Sequence, residues 1–199
     1  MKLYDATFNA DYLERATEIS DQMIKCFFDE SKGGFFLYAN DSQQLITRPK
    51  ETYDGAIPSG NSVAAWVLAR LSRLTGEKKW FEYKEKQLAY LAGQIRQYPA
   101  GHSAALFAFM QELYSSQELV CVTTDEQNSA ELKKFLRENE LPLLSTLIKT
   151  RENQLMLAKS APFTREYPFP KEGTAYYLCK GGTCAAPVHN LHDLKHLLV

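Results

Sequence analysis

Apolar positions recur at helical spacing from about residue 11. Tyr12, Ala16, Ile19, Met23 and Phe27 fall on one face, widened by Leu13, Ser20 and Ile24, which predicts a first long helix. Asp11 with Glu14 three residues on has the form of a capping box, an acid accepting orphan backbone N–H groups. Gly33-Gly34 supplies the left-handed residues that follow helices and tight turns, and Phe35-Phe36-Leu37-Tyr38 reads as a short extended piece. A second helix is expected from a cap at Asn61 or Ser62 to Gly76. Its first two turns are small or apolar, with a polar face only from Arg70, Ser72 and Arg73, the pattern of a helix buried on most sides. A third, over about 78–97, carries a stripe at Leu88, Leu91, Ala92 and Ile95 until Pro99-Ala100-Gly101 breaks it. A fourth covers about 102–114 with Leu106, Phe107, Met110 and Leu113.

Beyond Ser115 the pattern changes. Glu118-Leu119-Val120-Cys121-Val122-Thr123 is β-branched and strand-like, 128–138 is an amphipathic helix with Leu132, Phe135 and Leu136, and Leu143 to Ile148 is a second strand. A strand–helix–strand order implies a parallel pair joined by a right-handed crossover. The segment 162–173, rich in proline and aromatics, reads as loop, 174–179 as a third strand, and about 191–198 as a last helix. The expected architecture is mostly α with a C-terminal α/β part: helical hairpins over 1–116, then over 117–199 a small, parallel three-stranded sheet with helices.

Composition narrows the function. The 199-residue, 22.7-kDa chain is 45% apolar and 24% charged, ordinary for a globular protein. A formal charge of -1 leaves no electrostatic footprint for nucleic acid or an anionic membrane. No run approaches the roughly 20 apolar residues of a membrane span, and the N-terminus lacks the apolar core of a secretory signal. Cytoplasm is the expected compartment, with Cys26, Cys121, Cys179 and Cys184 mostly reduced and no disulfide framework.

The most informative segment is Arg48 to Asn61, a polar, turn-rich loop running into an apolar helix. Phe28-Asp29, Gly33-Gly34-Phe35, Arg48-Pro49-Lys50-Glu51, Asp54-Gly55-Ala56, Pro58-Ser59-Gly60-Asn61 and Leu71 to Gly76, followed by Ala175-Tyr176, Cys179, Cys184, Pro187 and Leu194, occur in an order that resembles one family across nearly the whole chain. That family is the thioredoxin-domain-containing proteins related to spermatogenesis-associated protein 20. The resemblance implies the C-terminal part of a toroid of helical hairpins, similar to six-hairpin glycosidases and N-acylglucosamine 2-epimerases. The chain has no Cys-x-x-Cys, so thioredoxin chemistry does not carry over. Four long helices cannot close a ring of twelve. Open apolar faces then predict a homo-oligomer or contact with the N-terminal part of a longer chain.

By that resemblance the loop would face a sugar-processing cavity, with a sugar or other small molecule as ligand and a hydrolase- or isomerase-like reaction. Asp54 would be general acid or base and Glu51 its companion, since glycoside hydrolysis uses two carboxyl groups, one raised in pKa. Arg48 and Lys50, with Ser59 and Asn61 at a helix N-terminus, suit an anionic or polar substrate group, and Tyr53 could stack on a sugar ring. The plainer reading is that Asp54-Gly55 is a turn, Ser59-Gly60-Asn61 a helix entry, and Arg48 a brace for Glu51. His102, the one histidine of the helical part, reads as a polar cap, which weakens an epimerase-like histidine pair. No metal site and no cofactor are predicted. Cys179 and Cys184 with His189 and His192 are the nearest approach to zinc-ligand chemistry, and the two cysteines could instead form a reversible disulfide. The rival function is a non-catalytic interaction module that oligomerises through exposed helix faces, and a lesser one a redox or zinc module at Cys179 and Cys184.

Overall fold

The computed structural model describes residues 1–199 except 43–46, 115, 125, 140, 182 and 199. The elements in order are α1 (Lys2–Thr7), α2 (Ala10–Phe27), α3 (Gly60–Thr75), α4 (Lys78–Ile95), a 3₁₀ turn (Pro99–His102), α5 (Ser103–Leu113), β1 (Gln117–Thr123), α6 (Glu126–Glu138), β2 (Leu144–Lys149), α7 (Gln154–Ser160), a second 3₁₀ turn (Pro162–Glu166), β3 (Thr174–Lys180), β4 (Thr183–Cys184) and α8 (Leu191–Leu198). They divide into two compact units. A helical unit holds Ala16–Ser72 and Glu77–Leu113, and a sheet unit holds Met1–Arg15, Arg73–Gly76 and Tyr114–Val199.

The long helices follow the expected apolar runs, with corrected ends. Asn9 rather than Asp11 caps α2, its Oδ1 accepting the Asp11 N–H at 3.0 Å. Tyr12 and Ile19 face solvent, while Leu13 and Ser20 are buried, so the inward stripe is rotated from the expected one. Ser59 rather than Asn61 or Ser62 caps α3, with its Oγ accepting the Ser62 N–H at 3.1 Å. Ala65, Leu88, Leu91, Ala105 and Ala108 form a buried cluster joining α3, α4 and α5. Lys84 of α4, itself buried, pairs with Glu112 of α5 at 2.6 Å. Gly33 and Gly34 have φ of +71° and +79°, and a Cβ on Gly34 would lie 2.5 Å from the Tyr90 ring. Both the conformation and the close approach demand glycine there.

In the sheet unit the strand order is β2-β1-β3-β4. β1 and β2 are parallel through the α6 crossover, as the strand–helix–strand pattern predicts. β3 runs antiparallel to β1, and β4 antiparallel to β3. The sheet is therefore mixed and four-stranded, not three parallel strands. The connection from Thr150 to Gly173, which contains α7 and the second 3₁₀ turn, delivers β3 to the far side of β1 in the opposite sense. Leu119, Cys121, Leu144, Ile148, Tyr176 and Leu178 of the sheet pack with Leu132 of α6 and Leu194 of α8. The cysteines also depart from expectation: Cys179 and Cys184, register partners on β3 and β4, are joined by a disulfide. Cys121 is fully buried, and burial pushes its thiol up to about 12, which makes it a packing residue rather than a nucleophile.

Candidate functional site

Every residue of the Arg48–Asn61 loop lies in the helical unit, and the structure gives most of its polar groups internal partners. Asp54 is buried, 8% exposed. Its Oδ1 accepts the Ser59 N–H at 2.8 Å, and its Oδ2 accepts the N–H groups of Ala104 at 2.8 Å and Ala105 at 3.1 Å. Its own N–H donates to the Gly101 carbonyl at 2.7 Å. The carboxylate thus satisfies the entrance to α3 and two of the orphan amides at the start of α5, where the helix dipole favours negative charge. Burial pushes this carboxyl up, but the Ser59 amide, the Ser62 hydroxyl and the amides of Ala105 and Ala104 outweigh it, holding the group below its ordinary 3.8. A general acid at neutral pH requires the opposite shift.

Asn61, 2% exposed, is the second hub. Its Oδ1 accepts from the Phe35 N–H at 2.7 Å and from Gln87 Nε2 at 3.1 Å, while its Nδ2 donates to the carbonyls of Phe35 at 2.9 Å and Glu51 at 2.7 Å. Ser59 Oγ is taken up by Ser62 Oγ at 2.9 Å and by the cap bond described above. Lys50 pairs with Asp29 at 2.7 Å, both nearly buried, and also donates to the Gly33 carbonyl. The Lys50 ammonium and the Ser31 hydroxyl hold the Asp29 carboxyl far below the usual carboxylate range. Arg48 donates to the Tyr38 carbonyl at 2.8 Å and lies 3.9 Å above the Phe36 ring. Arg48 does not brace Glu51 through any described bond; Glu51 Oε1 accepts the Tyr53 N–H at 3.0 Å instead.

Of the predicted site residues in the Arg48–Asn61 loop, only Glu51 and Tyr53 present exposed side chains. Tyr53 stands parallel to Tyr98, with interplanar angle 4° and centroids 6.5 Å apart. A Cβ on Gly101 would fall 2.5 Å from Tyr98 and 2.9 Å from Tyr53, so a larger residue there would have to displace the two rings. His102 is a buried strut: Nδ1–H donates to the Tyr98 carbonyl at 2.8 Å, and Nε2 lies 3.3 Å from the Thr52 hydroxyl. The zinc-type cluster is not assembled. Its cysteines are bonded to each other, His189 Nδ1 donates to the Thr174 carbonyl at 3.2 Å, and among the described residues no group of three or more His, Cys, Asp or Glu could hold a metal.

Gln87, Tyr98 and Gly101 take part in this arrangement and are not singled out by the sequence. Gln87 carried a readable signal, because the apolar stripe of 88, 91 and 95 extends back one turn onto 84 and 87, where polar side chains must be buried and bonded.

No family model matches the chain. It is 26% identical to human spermatogenesis-associated protein 20 over 200 residues, covering all of this chain and 25% of the relative. The chain is homologous to that protein. The rat counterpart gives the same identity and coverage. An uncharacterised Caenorhabditis elegans protein is 26% identical over 202 residues, covering 99% of this chain and 26% of the relative. The chain thus spans about a quarter of the length of the curated relatives it matches. No helix among the described residues is long and apolar enough to cross a membrane.

Proposed function

We propose that this chain acts as a non-catalytic docking module whose α5 seats a second copy of the same chain. The supporting observation is that α5 is apolar on both sides. Ala105 and Ala108 point into the helical core, while Leu106, Phe107 (65% exposed), Met110 and Leu113 (79% exposed) form a stripe on the outer face. Positions i, i+1, i+4 and i+7 span about a third of the helix circumference, the width that a helix normally turns toward a core. Fully burying each such side chain is worth about 1.5–3 kcal/mol. The one charged residue of α5, Glu112, is held by Lys84. Two copies related by a twofold axis therefore meet along this stripe without like charges opposed, the commonest symmetry of homo-oligomers. Sedimentation equilibrium tests the reading: wild type associates in a concentration-dependent way, and Phe107→Glu with Leu113→Glu stays monomeric with unchanged circular dichroism. A wild type that remains monomeric at about 100 μM, a concentration at which even weak contacts populate, would end it.

A second reading keeps the sugar-binding role that the toroid resemblance implies, carried by Tyr53 and Tyr98. Their parallel exposed rings over Gly101 offer the flat aromatic surface on which a sugar face stacks. Titration with glucose and N-acetylglucosamine should quench tyrosine fluorescence in wild type and not in Tyr53→Ala. Equal responses from the two proteins would remove this reading.

A further inference from the structure

The outer face of α8 carries a pair of imidazoles that neither reading uses. His192 and His196, one helical turn apart, have their Nε2 atoms 3.2 Å from each other and their ring centroids 4.6 Å apart. Side chains four residues apart are neighbours on a helix surface, but they need not converge on one point. Here they do, through the atoms with which imidazoles commonly bind metals. Zinc–imidazole bonds of about 2.0–2.1 Å, at angles between square and tetrahedral, place two nitrogens about 2.8–3.4 Å apart. The observed separation falls inside that span. The helix beneath the pair is fixed in place. Asn190 Oδ1 accepts the Asp193 N–H at 2.9 Å at the entrance to α8, and Leu194 is fully buried in the core of the sheet unit, with Leu191 and Leu198 packed against it. That apolar face turns His192 and His196 outward, where both are exposed. Neighbouring charges are engaged elsewhere: Asp193 accepts from Asn190 Nδ2 at 2.7 Å, and the Lys195 ammonium lies 5.0 Å over the Phe135 ring. Cys179 and Cys184, bonded to each other, offer no thiolate. Among the described residues no third His, Cys, Asp or Glu completes the set, so any site here has two protein ligands.

We infer that His192 and His196 form a surface chelate for a divalent transition-metal ion, zinc or copper, with water in the remaining coordination positions. Imidazole suits these ions, whereas magnesium and calcium take oxygen ligands. Without metal, one neutral ring donates its Nε2–H to the Nε2 of the other. On binding, the donating ring moves that proton to its own Nδ1, the other already carries its proton there, and both Nε2 lone pairs face the ion. Calorimetric titration of the full chain with zinc, copper(II) and magnesium chlorides tests the assignment, together with NMR of the imidazole rings in the zinc titration. One ion per chain is expected, copper binding more tightly than zinc, as divalent affinities generally run, and magnesium not at all. The ring signals of His192 and His196 should shift together while those of His102 and His189 stay in place. His192→Ala and His196→Ala should each weaken zinc binding at least about tenfold, since even outer-shell partners are worth that much, with circular dichroism unchanged because both side chains are exposed. His189→Ala, whose imidazole is bonded to the Thr174 carbonyl, should bind as wild type does. No saturable zinc binding up to about 1 mM, where a weak site already fills, would overturn the proposal. So would undiminished binding in either alanine variant of the pair, or an equal loss in His189→Ala.

Discussion

Replacing Asp54 with alanine is expected to destabilise the protein by about 2–4 kcal/mol, the sum of a lost helix cap and lost charge-assisted bonds. Three amides lose their acceptor at once, those of Ser59, Ala104 and Ala105, and the last belongs to a fully buried residue. Water cannot replace the carboxylate at every one of these positions. Asp54→Asn retains one acceptor oxygen in place of two, so its loss should be roughly half as large. Urea unfolding monitored by circular dichroism measures both. The pH dependence has a definite sign. Because the folded carboxyl titrates below its ordinary 3.8, its stabilising contribution is complete above that value and lost as the pH falls through the lowered folded value. The gap between wild type and Asp54→Ala should therefore narrow only in strong acid and stay constant from pH 5 to 8, the range well above an ordinary aspartate pKa. A catalytic aspartate would behave differently, because its removal typically leaves the fold intact or strengthens it while abolishing turnover.

Asn61→Ala is expected to cost about 3 kcal/mol or more, since buried amide and carbonyl groups left without partners carry their full desolvation penalty. The Phe35 N–H and C=O and the Glu51 carbonyl all lose their bonds to this one side chain. These bonds fasten the Phe35 segment to the start of α3, and with it the Phe28–Phe35 bridge that follows α2. Asn61→Asp discriminates further. Its carboxylate still accepts from Phe35 and Gln87, but it has no N–H group to give to the two carbonyls and faces them with negative charge. It should be at least as damaging as alanine at neutral pH and recover part of the loss when protonated. Thermal unfolding between pH 3 and 7, a range that spans an ordinary aspartate pKa, would register this. Substrate contact alone would instead leave the melting temperature of all three proteins the same.

The long helices were readable because each buries one stripe through many turns. The regular spacing of Leu88, Leu91 and Ile95 is enough to place α4, and Gly76, at φ +66°, closes α3 where expected. The β1–α6–β2 unit was readable for a similar reason, since a continuous apolar strand, an amphipathic helix and a second apolar strand permit few arrangements. The direction of β3 was not. Residues 150–173 are long enough to return the chain in either sense, and nothing in Thr174 to Lys180 records the choice. β4 has two residues, too few for any periodicity. The disulfide depends on that hairpin, so along the chain Cys179 and Cys184 offered it only as one alternative among several.

The candidate site divides along the same line. That Arg48 to Asn61 is a dense polar loop at a helix entrance is a local property and was visible. Most of what its groups bond to is not local: two of the three amides accepted by Asp54 are 50 and 51 residues away, and the Phe35 groups held by Asn61 are 26 away. A buried acid bonded to amides and a catalytic acid look identical along the chain. The outward stripe of α5 was visible as Leu106, Phe107, Met110 and Leu113, but their spacing alone reads as core. Only the packing of Ala105 and Ala108 on the opposite side shows that the core was already supplied.

The most direct test of this account is the titration of the Asp54 side-chain carboxyl carbon, followed by NMR from neutral pH down into acid. A midpoint below the ordinary 3.8, as expected for a carboxylate committed to backbone amides, would agree with the structural role assigned here. A midpoint raised toward neutrality would contradict it and identify Asp54 as an acid poised for proton transfer.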